Sequence, residues 1–348
     1  MDEPSLGASG GPLATVHDVA MLDLDGVVYV GDGPVPHAPE AIEKARADGL
    51  RIAFVTNNAS RTPEKVAAKI EKTGVPADAA EVVTSAQAAS RVLLERYGPG
   101  SPVVVLGAAG LHQALDAVGL RSVGVDDPDA VALVTGYGPD VVWRDVMRAA
   151  TRVRAGLPWV ASNTDETIPT AYGIAPGHGV MVTMLRDFTG VDPTVAGKPE
   201  RPLLDETIAR TSAERPLMVG DRLDTDIEGA VRLHIPALLV MTGVTGLAEL
   251  ASAPPGLRPT YVSADLRGLL VQHEAPDAED GRWRAGSWTA HVEDGRLEVA
   301  GDGSGSLDDW WRVVAAASWN HLDETGAAVD TSGLRVPDAD GVAGRLEP

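Results

Sequence analysis

The sequence predicts an α/β protein: a core built on a parallel sheet, interrupted by an inserted α/β domain and followed by a small α+β extension. Three observations carry this. Short, uniformly apolar runs of strand length alternate with helical stretches closed by Gly, the order that produces parallel pairing. That style stops near residue 85 and returns after residue 180. From residue 271 the composition changes, with 16 acidic against 6 basic residues and five of the seven Trp. The expected domains are residues 1–84 with 181–270 for the core, 85–180 for the insertion and 271–348 for the extension.

Val19 to Asp23 is too short and too apolar for an amphipathic helix and reads as a buried strand. A Gly/Pro-rich loop runs from Gly26 to Pro39, either a flap over a site or a surface connection. AIEKARADG is a helix stopped by Gly49, and Arg51 to Thr56 is a second buried strand. Thr62-Pro63 opens a helix that Gly74 closes. In the insertion, PVVVLG, AVALVTG and LPWVASN are strands, with helices around Leu111 to Val118 and Asp140 to Ala155. Arg215 to Asp221 and Pro236 to Gly243 are core strands flanking the helical DIEGAVRLH. In the extension, EAPDAEDG reads as an acidic linker, SWTAHVEDGRLEVAG as a hairpin turning at Asp294-Gly295, and LDDWWRVVAAASWNHL as a helix.

A chain of 348 residues with 44% apolar and 23% charged content can build two or three packed domains. Its net charge of −21 disfavours nucleic-acid and anionic membrane partners. Without Cys, disulfides, thiolate metal sites and cysteine nucleophiles are excluded. The start, MDEPSLGASGG, lacks the basic and apolar segments of a secretory signal, and a cytoplasmic location is expected.

The chemistry gathers at strand ends. Asp23 and Asp25 follow the first strand, Thr56 and Asn57 end the second, and Asp221 ends a later one. In an open parallel sheet those carboxyl ends share one rim, where ligands bind. Carboxylates collected there repel one another unless a cation neutralises them, and hard oxygen ligands favour Mg²⁺. An EF-hand does not fit, because Gly26 follows at once and Pro34 stands where the closing Glu is needed. Only five of the 29 basic residues are Lys, and Lys198 stands alone after Lys72, which suits a site needing a compact point charge, although a surface Lys is the plainer reading.

The four segments LDLDGVVY, FVTNN, AGKPERP and MVGDRLDTDIEGA, in that order, resemble the four motifs of the haloacid dehalogenase (HAD) superfamily. They are most similar to its subclass IIA, with a C2-type α/β cap between the second and third motifs, and ASNTDETIPT resembles part of that cap. The subclass includes phosphatases for p-nitrophenyl phosphate, phosphoglycolate, sugar phosphates, pyridoxal phosphate and glycerol 3-phosphate. The Arg preference and the Trp-rich tail are similar to actinobacterial glycerol-3-phosphate phosphatases. The resemblance implies a Rossmann-like core and Mg²⁺-dependent hydrolysis of a small phosphorylated metabolite through an aspartyl-phosphate. It implies Asp23 as nucleophile and Asp25 as general acid and base. Asp23, Asp25 (through its carbonyl) and Asp221 would hold the metal, with Asp226, and less firmly Asp224, behind them. Asp25, Thr56, Asn57, Asn58 and Lys198 would bind phosphate. Asn163, Asp165, His178 and the loop from Ala171 to Gly179 are the candidates for contact with the leaving group. Relatives allow a homodimer. A receiver-type phosphoacceptor switch also uses Asp, Thr, Lys and Mg²⁺, but Asp25, the long insertion and the chain length stand against it. An acetyltransferase-like role for the tail is disfavoured, since residues 271–348 carry no acyl-CoA loop motif. A tail packing its Trp residues against the body or a partner is expected instead.

Overall fold

In a computed structural model, residues 6–170, 173–302 and 304–337 are described. Ala171 and Tyr172 of the candidate cap loop lie outside them. The chain packs into two compact units, one of residues 1–52, 72–75 and 213–348, the other of residues 53–71 and 76–212.

In the first unit Val19–Leu22 is buried along its length and lies parallel to Pro216–Gly220, with Val19 opposite Pro216 and Leu22 opposite Val219. Sheet neighbours so far apart in sequence are what an interrupted domain requires. Ala237–Val240 pairs with the other edge of Pro216–Gly220, and Tyr261–Ser263 follows, all parallel. Strands covered on both faces read as continuous apolar runs, which is why no alternation marks them. Arg51–Thr56 begins in this unit, where the Arg51 N–H donates to the Asp18 carbonyl at 3.2 Å, and ends in the second.

The segment after Asp25 is not a loose connection. The Leu24 carbonyl accepts N–H groups from Val27, Val28 and Tyr29, all three of them buried, and Tyr29–Val30 pairs antiparallel with Gly33–Pro34. Helix Ala38–Ala47 follows and ends near Gly49, whose φ of 97° stops it, as its sequence indicates.

The extension packs within the first unit. Asp277–Glu279, Arg282–Ala285, Trp288–Glu293 and Arg296–Gly301 form a four-stranded antiparallel sheet. The acidic stretch read as a linker is thus an edge strand. The missed signal is Asp280-Gly281, whose φ values of 50° and 73° match those of the turn at Asp294-Gly295, 50° and 76°. Helix Leu307–Thr325 lies between this sheet and the segments Tyr261–Ser263 and Leu247–Ala251, burying Trp310, Trp311 and Trp319.

The second unit carries a parallel five-stranded sheet in the order Thr194–Val195, Trp159–Ala161, Ala132–Thr135, Pro102–Leu106, Arg121–Val123. Helices Trp143–Arg154 and His178–Thr189 bury Val146, Val153, Val182 and Leu185 against Val104, Leu133 and Trp159. The end of Arg51–Thr56 pairs in parallel with Val82–Thr84, Thr56 opposite Thr84. Thr84 and Gln87 then cap helix Ser85–Tyr97 reciprocally.

Candidate active site

In the first unit the sheet delivers Asp23 and Asp221 at the ends of adjacent strands. Asp23 is anchored by its N–H, which donates to the Val219 carbonyl at 2.9 Å. A π-helical turn, Leu223–Ile227, folds the next acidic residues back. Asp226 Oδ2 accepts the Arg222 N–H at 3.2 Å, and its side chain fills the space a methyl group on Gly220 would need. One carboxylate oxygen from each of Asp23, Asp221 and Asp226 lies within 4.8 Å of the others.

Asp221 is fully buried and closely held. Its Oδ2 accepts the Val244 N–H at 2.7 Å, while its carbonyl accepts the Thr245 N–H at 3.1 Å and hydroxyl at 2.6 Å. Two glycines make room for it. A Cβ on Gly26, itself at φ 85°, would stand 2.5 Å from Asp221 Oδ2, and one on Gly243 would overlap the same oxygen. Gly243 and its following N–H groups escaped the sequence reading, although a Gly closing a strand at the ligand rim was visible in PALLVMTG.

Three carboxylates at this spacing, two of them buried, repel strongly unless a cation lies among them. An all-oxygen donor set fits Mg²⁺. Asp25 is exposed at the mouth of its turn. Asp224 stays outside the cluster: Arg222 Nη2 donates to Asp224 Oδ2 at 2.7 Å and Nε to Oδ1 at 3.0 Å. Partial burial pushes the Asp224 carboxyl up, but these charged hydrogen bonds outweigh it and hold the group below its ordinary range. His291, Glu293 and Glu298 form a second close group on the surface of the extension, where solvent rather than an ion can screen them.

The second unit assembles the remaining residues. Asn57 is the hub. Its Oδ1 accepts the Lys198 N–H at 2.8 Å, and its Nδ2 donates to the Lys198 carbonyl and to Asp165 Oδ1, each at 3.0 Å. The Asn57 carbonyl accepts from Ser85 Oγ at 2.5 Å and from Asn163 Nδ2 at 2.7 Å. Gly197 sits under this hub, where a Cβ would come 2.7 Å from Asn57 Oδ1. Lys198 is 2% exposed, and its ammonium lies 3.4 Å from the Val55 carbonyl. Thr56 Oγ1 accepts the Asn58 N–H at 3.1 Å, and Asn58 Oδ1 in turn accepts the N–H groups of Ser60 and Arg61. Asn163, Asp165 and His178 therefore sit in one network with Asn57 and the Lys198 backbone. Ser85 is a member that the sequence reading did not select.

His178 Nδ1 faces the Asn163 carbonyl at 2.8 Å, so that nitrogen carries the proton. Burial pushes its pKa down to about 4, and the carbonyl only partly opposes this. An unfolded His takes a proton near its ordinary value of 6.5, whereas the folded one stays neutral until about 4. The contribution of His178 to stability is then complete above pH 6.5 and falls as the pH drops toward 4. Its share of the loss between pH 7 and pH 5 is expected to be about 2 kcal/mol, read as the difference in urea midpoints between the parent and His178→Gln, which should show the shallower slope.

A family model described as haloacid dehalogenase-like hydrolase matches residues 20–121, and a HAD-hydrolase-like model matches residues 195–269. The chain is 42% identical over 320 residues to a D-glycerol 3-phosphate phosphatase from Mycobacterium tuberculosis, covering 88% of this chain and 87% of that one. The chain belongs to the haloacid dehalogenase-like hydrolases. This hydrolase superposes on the M. tuberculosis glycerol phosphate phosphatase, crystallised in complex with magnesium, with a TM-score of 0.79 at 40% identity, over 89% of this chain and 92% of that one. It is also 34% identical over 256 residues to an acid sugar phosphatase from Staphylococcus saprophyticus, covering 73% of this chain and 97% of that one. The hydrolase has the mixed α/β fold with parallel sheets expected of the Rossmann-like members of its family.

Proposed function

We propose that this hydrolase is a Mg²⁺-dependent phosphatase that cleaves a small phosphomonoester, glycerol 3-phosphate first among candidates, into the alcohol and inorganic phosphate. The observation that carries the reading is the close cluster of Asp23, Asp221 and Asp226, the last two buried, in a chain 42% identical to a D-glycerol 3-phosphate phosphatase. Asp23, Asp221 and the Asp25 carbonyl would hold the metal, with Asp226 behind them. When bound, the ion offsets the charge of the carboxylates and of the phosphoryl oxygens.

The Asp23 carboxylate attacks phosphorus and the P–O ester bond breaks. Asp25, as its acid, protonates the departing alkoxide. As a carboxylate it then takes a proton from the water that attacks the phosphorus. The Asp23–phosphoryl bond breaks, releasing inorganic phosphate. The Thr56 hydroxyl, the Asn57 and Asn58 backbone and the Lys198 ammonium would meet the phosphoryl oxygens, because this chemistry depends chiefly on positioning and charge.

Residues 85–180 are proposed as the cap that selects the leaving group, between core segments 1–84 and 181–270. The second compact unit, residues 53–71 and 76–212, exposes Val142, Trp143, Met147, Ile174, Val180 and Phe188, which supports a homodimer formed through apolar side chains of that unit. Among the described residues no helix is long and apolar enough to cross a membrane. The acidic composition supports an enzyme without nucleic-acid partners, and the cytoplasm is its proposed location.

Phosphate release should be screened over glycerol 3-phosphate, phosphoglycolate, sugar phosphates and pyridoxal phosphate, with Mg²⁺ and with excess chelator. Glycerol 3-phosphate is expected to give the highest kcat/KM, and chelator to lower every rate about 10³-fold or more. Rates indifferent to chelator, or one labelling event per chain without turnover, would overturn the reading, the second in favour of a receiver-type switch.

A further inference from the structure

The loop that holds Asp221, residues 241–246, is flanked at both ends by segments that the C-terminal helix Leu307–Thr325 holds, the corner at Ser263–Ala264 and the short helix Leu247–Ala251. At its start the Met241 N–H donates to the Ser263 carbonyl at 3.0 Å. Asp308, in the first turn of the C-terminal helix, holds that same corner, its Oδ1 accepting from Ser263 Oγ at 3.0 Å and from the Ala264 N–H at 2.7 Å.

At its other end the loop passes directly into the short helix Leu247–Ala251. There the indole N–H of Trp319 donates to the Leu250 carbonyl at 2.7 Å in a buried setting. Arg258, nearly buried, lies over the Trp319 ring at 5.2 Å and donates through Nε to the Ala253 carbonyl at 2.9 Å. Both of its terminal nitrogens donate to the Asp323 carboxylate at 2.6 Å. Between these two grips the loop gives Asp221 its hydrogen bonds from Val244 and Thr245 and its contact with Gly243. Thr242 also donates its hydroxyl proton to the Gly26 carbonyl at 2.6 Å.

We propose that the C-terminal helix is a positioning element for the metal-binding carboxylate, and that Trp319 and Asp323 are positioning residues acting through the loop 241–246. The proposal rests on the assignment of Asp221 as a metal ligand. Its physical basis is that a carboxylate fixed by hydrogen bonds binds an ion without first losing rotational freedom, and a loop free at one end supplies those bonds less well. The helix thereby tunes metal affinity without touching substrate.

The test titrates Mg²⁺ calorimetrically into the purified full chain and into its Trp319→Phe, Asp323→Asn, Leu297→Ala and Asp221→Asn variants. Trp319→Phe keeps the ring but removes the N–H donor. It is expected to weaken Mg²⁺ binding about fivefold, below the roughly 10–100-fold typical of groups bonded directly to a metal ligand. Its kcat at saturating Mg²⁺ should stay near that of the parent, and Asp323→Asn should behave likewise. Leu297→Ala, in the buried face of the extension sheet, should lower the melting temperature and leave Mg²⁺ affinity unchanged. Parent-like affinity in Trp319→Phe overturns the proposal. So does a loss of affinity that follows melting temperature equally in Trp319→Phe and Leu297→Ala, since that is general loosening. Equal Mg²⁺ binding by the parent and by Asp221→Asn would instead overturn the assignment of Asp221 itself.

Discussion

Asp23→Asn is expected to lower phosphate release from any phosphomonoester by about 10⁴-fold or more, because an amide oxygen is a far weaker nucleophile than a carboxylate. The fold should tolerate the change. The Asp23 main chain is fixed by its bond to the Val219 carbonyl, which the substitution leaves intact. Removing one of three neighbouring carboxylates also lowers their mutual repulsion, so the metal-free variant should melt at or above the parent temperature. The combination is diagnostic, since a folded but inactive protein separates a chemical role from a structural one. Acid-quenched samples should trap phosphate on the parent chain during turnover and none on the variant. A variant that turns over within tenfold of the parent would place the nucleophile elsewhere.

The strand ends were legible because their residues answer to simple rules. Val19–Leu22 and Pro216–Gly220 are apolar throughout since both faces are covered, and each hands over to an Asp at the rim. Asp226 was also legible, in the order of its motif. What was not legible was how Asp224 and Asp226 part company. They are separated by one residue, and only the π-helical turn sends Asp226 to Asp221 while Arg222 captures Asp224. Short elements escaped for a related reason: Thr194–Val195 is two residues long and gains its strand form from pairing with Trp159–Ala161, not from its own pattern. Helix Ser85–Tyr97 carried a readable signal, Thr84 with Gln87 three positions on, which the apolar pattern alone did not bring out. The hub role of Asn57 depends on contacts to residues more than a hundred positions away, and no local rule announces those.

Lys198→Arg should lower kcat by about 10²–10³-fold, the usual scale for losing one preorganised electrostatic group at a developing charge. The substitution keeps the positive charge, so the expected loss is one of geometry. Lys198 is almost fully buried, and both polar groups of its main chain are held by the Asn57 side chain, at 2.8 Å and 3.0 Å. Gly197 before it is packed against Asn57 and the Ser162 carbonyl, so the backbone cannot retreat. A fixed backbone and a closed socket set the reach of the side chain to that of a Lys. A guanidinium is longer and planar, and it spreads its charge over a fork where a compact ammonium is required. Lys198→Met, similar in length but uncharged, should lose at least as much, while Lys65→Arg on the exposed face of helix Pro63–Glu71 should change nothing measurable. The measurement is kcat and KM for the best substrate at saturating Mg²⁺, with melting temperatures to establish folding. If Lys198→Arg retains a third or more of the parent kcat, the buried ammonium is serving the packing of the Asn57 hub and not the phosphoryl group.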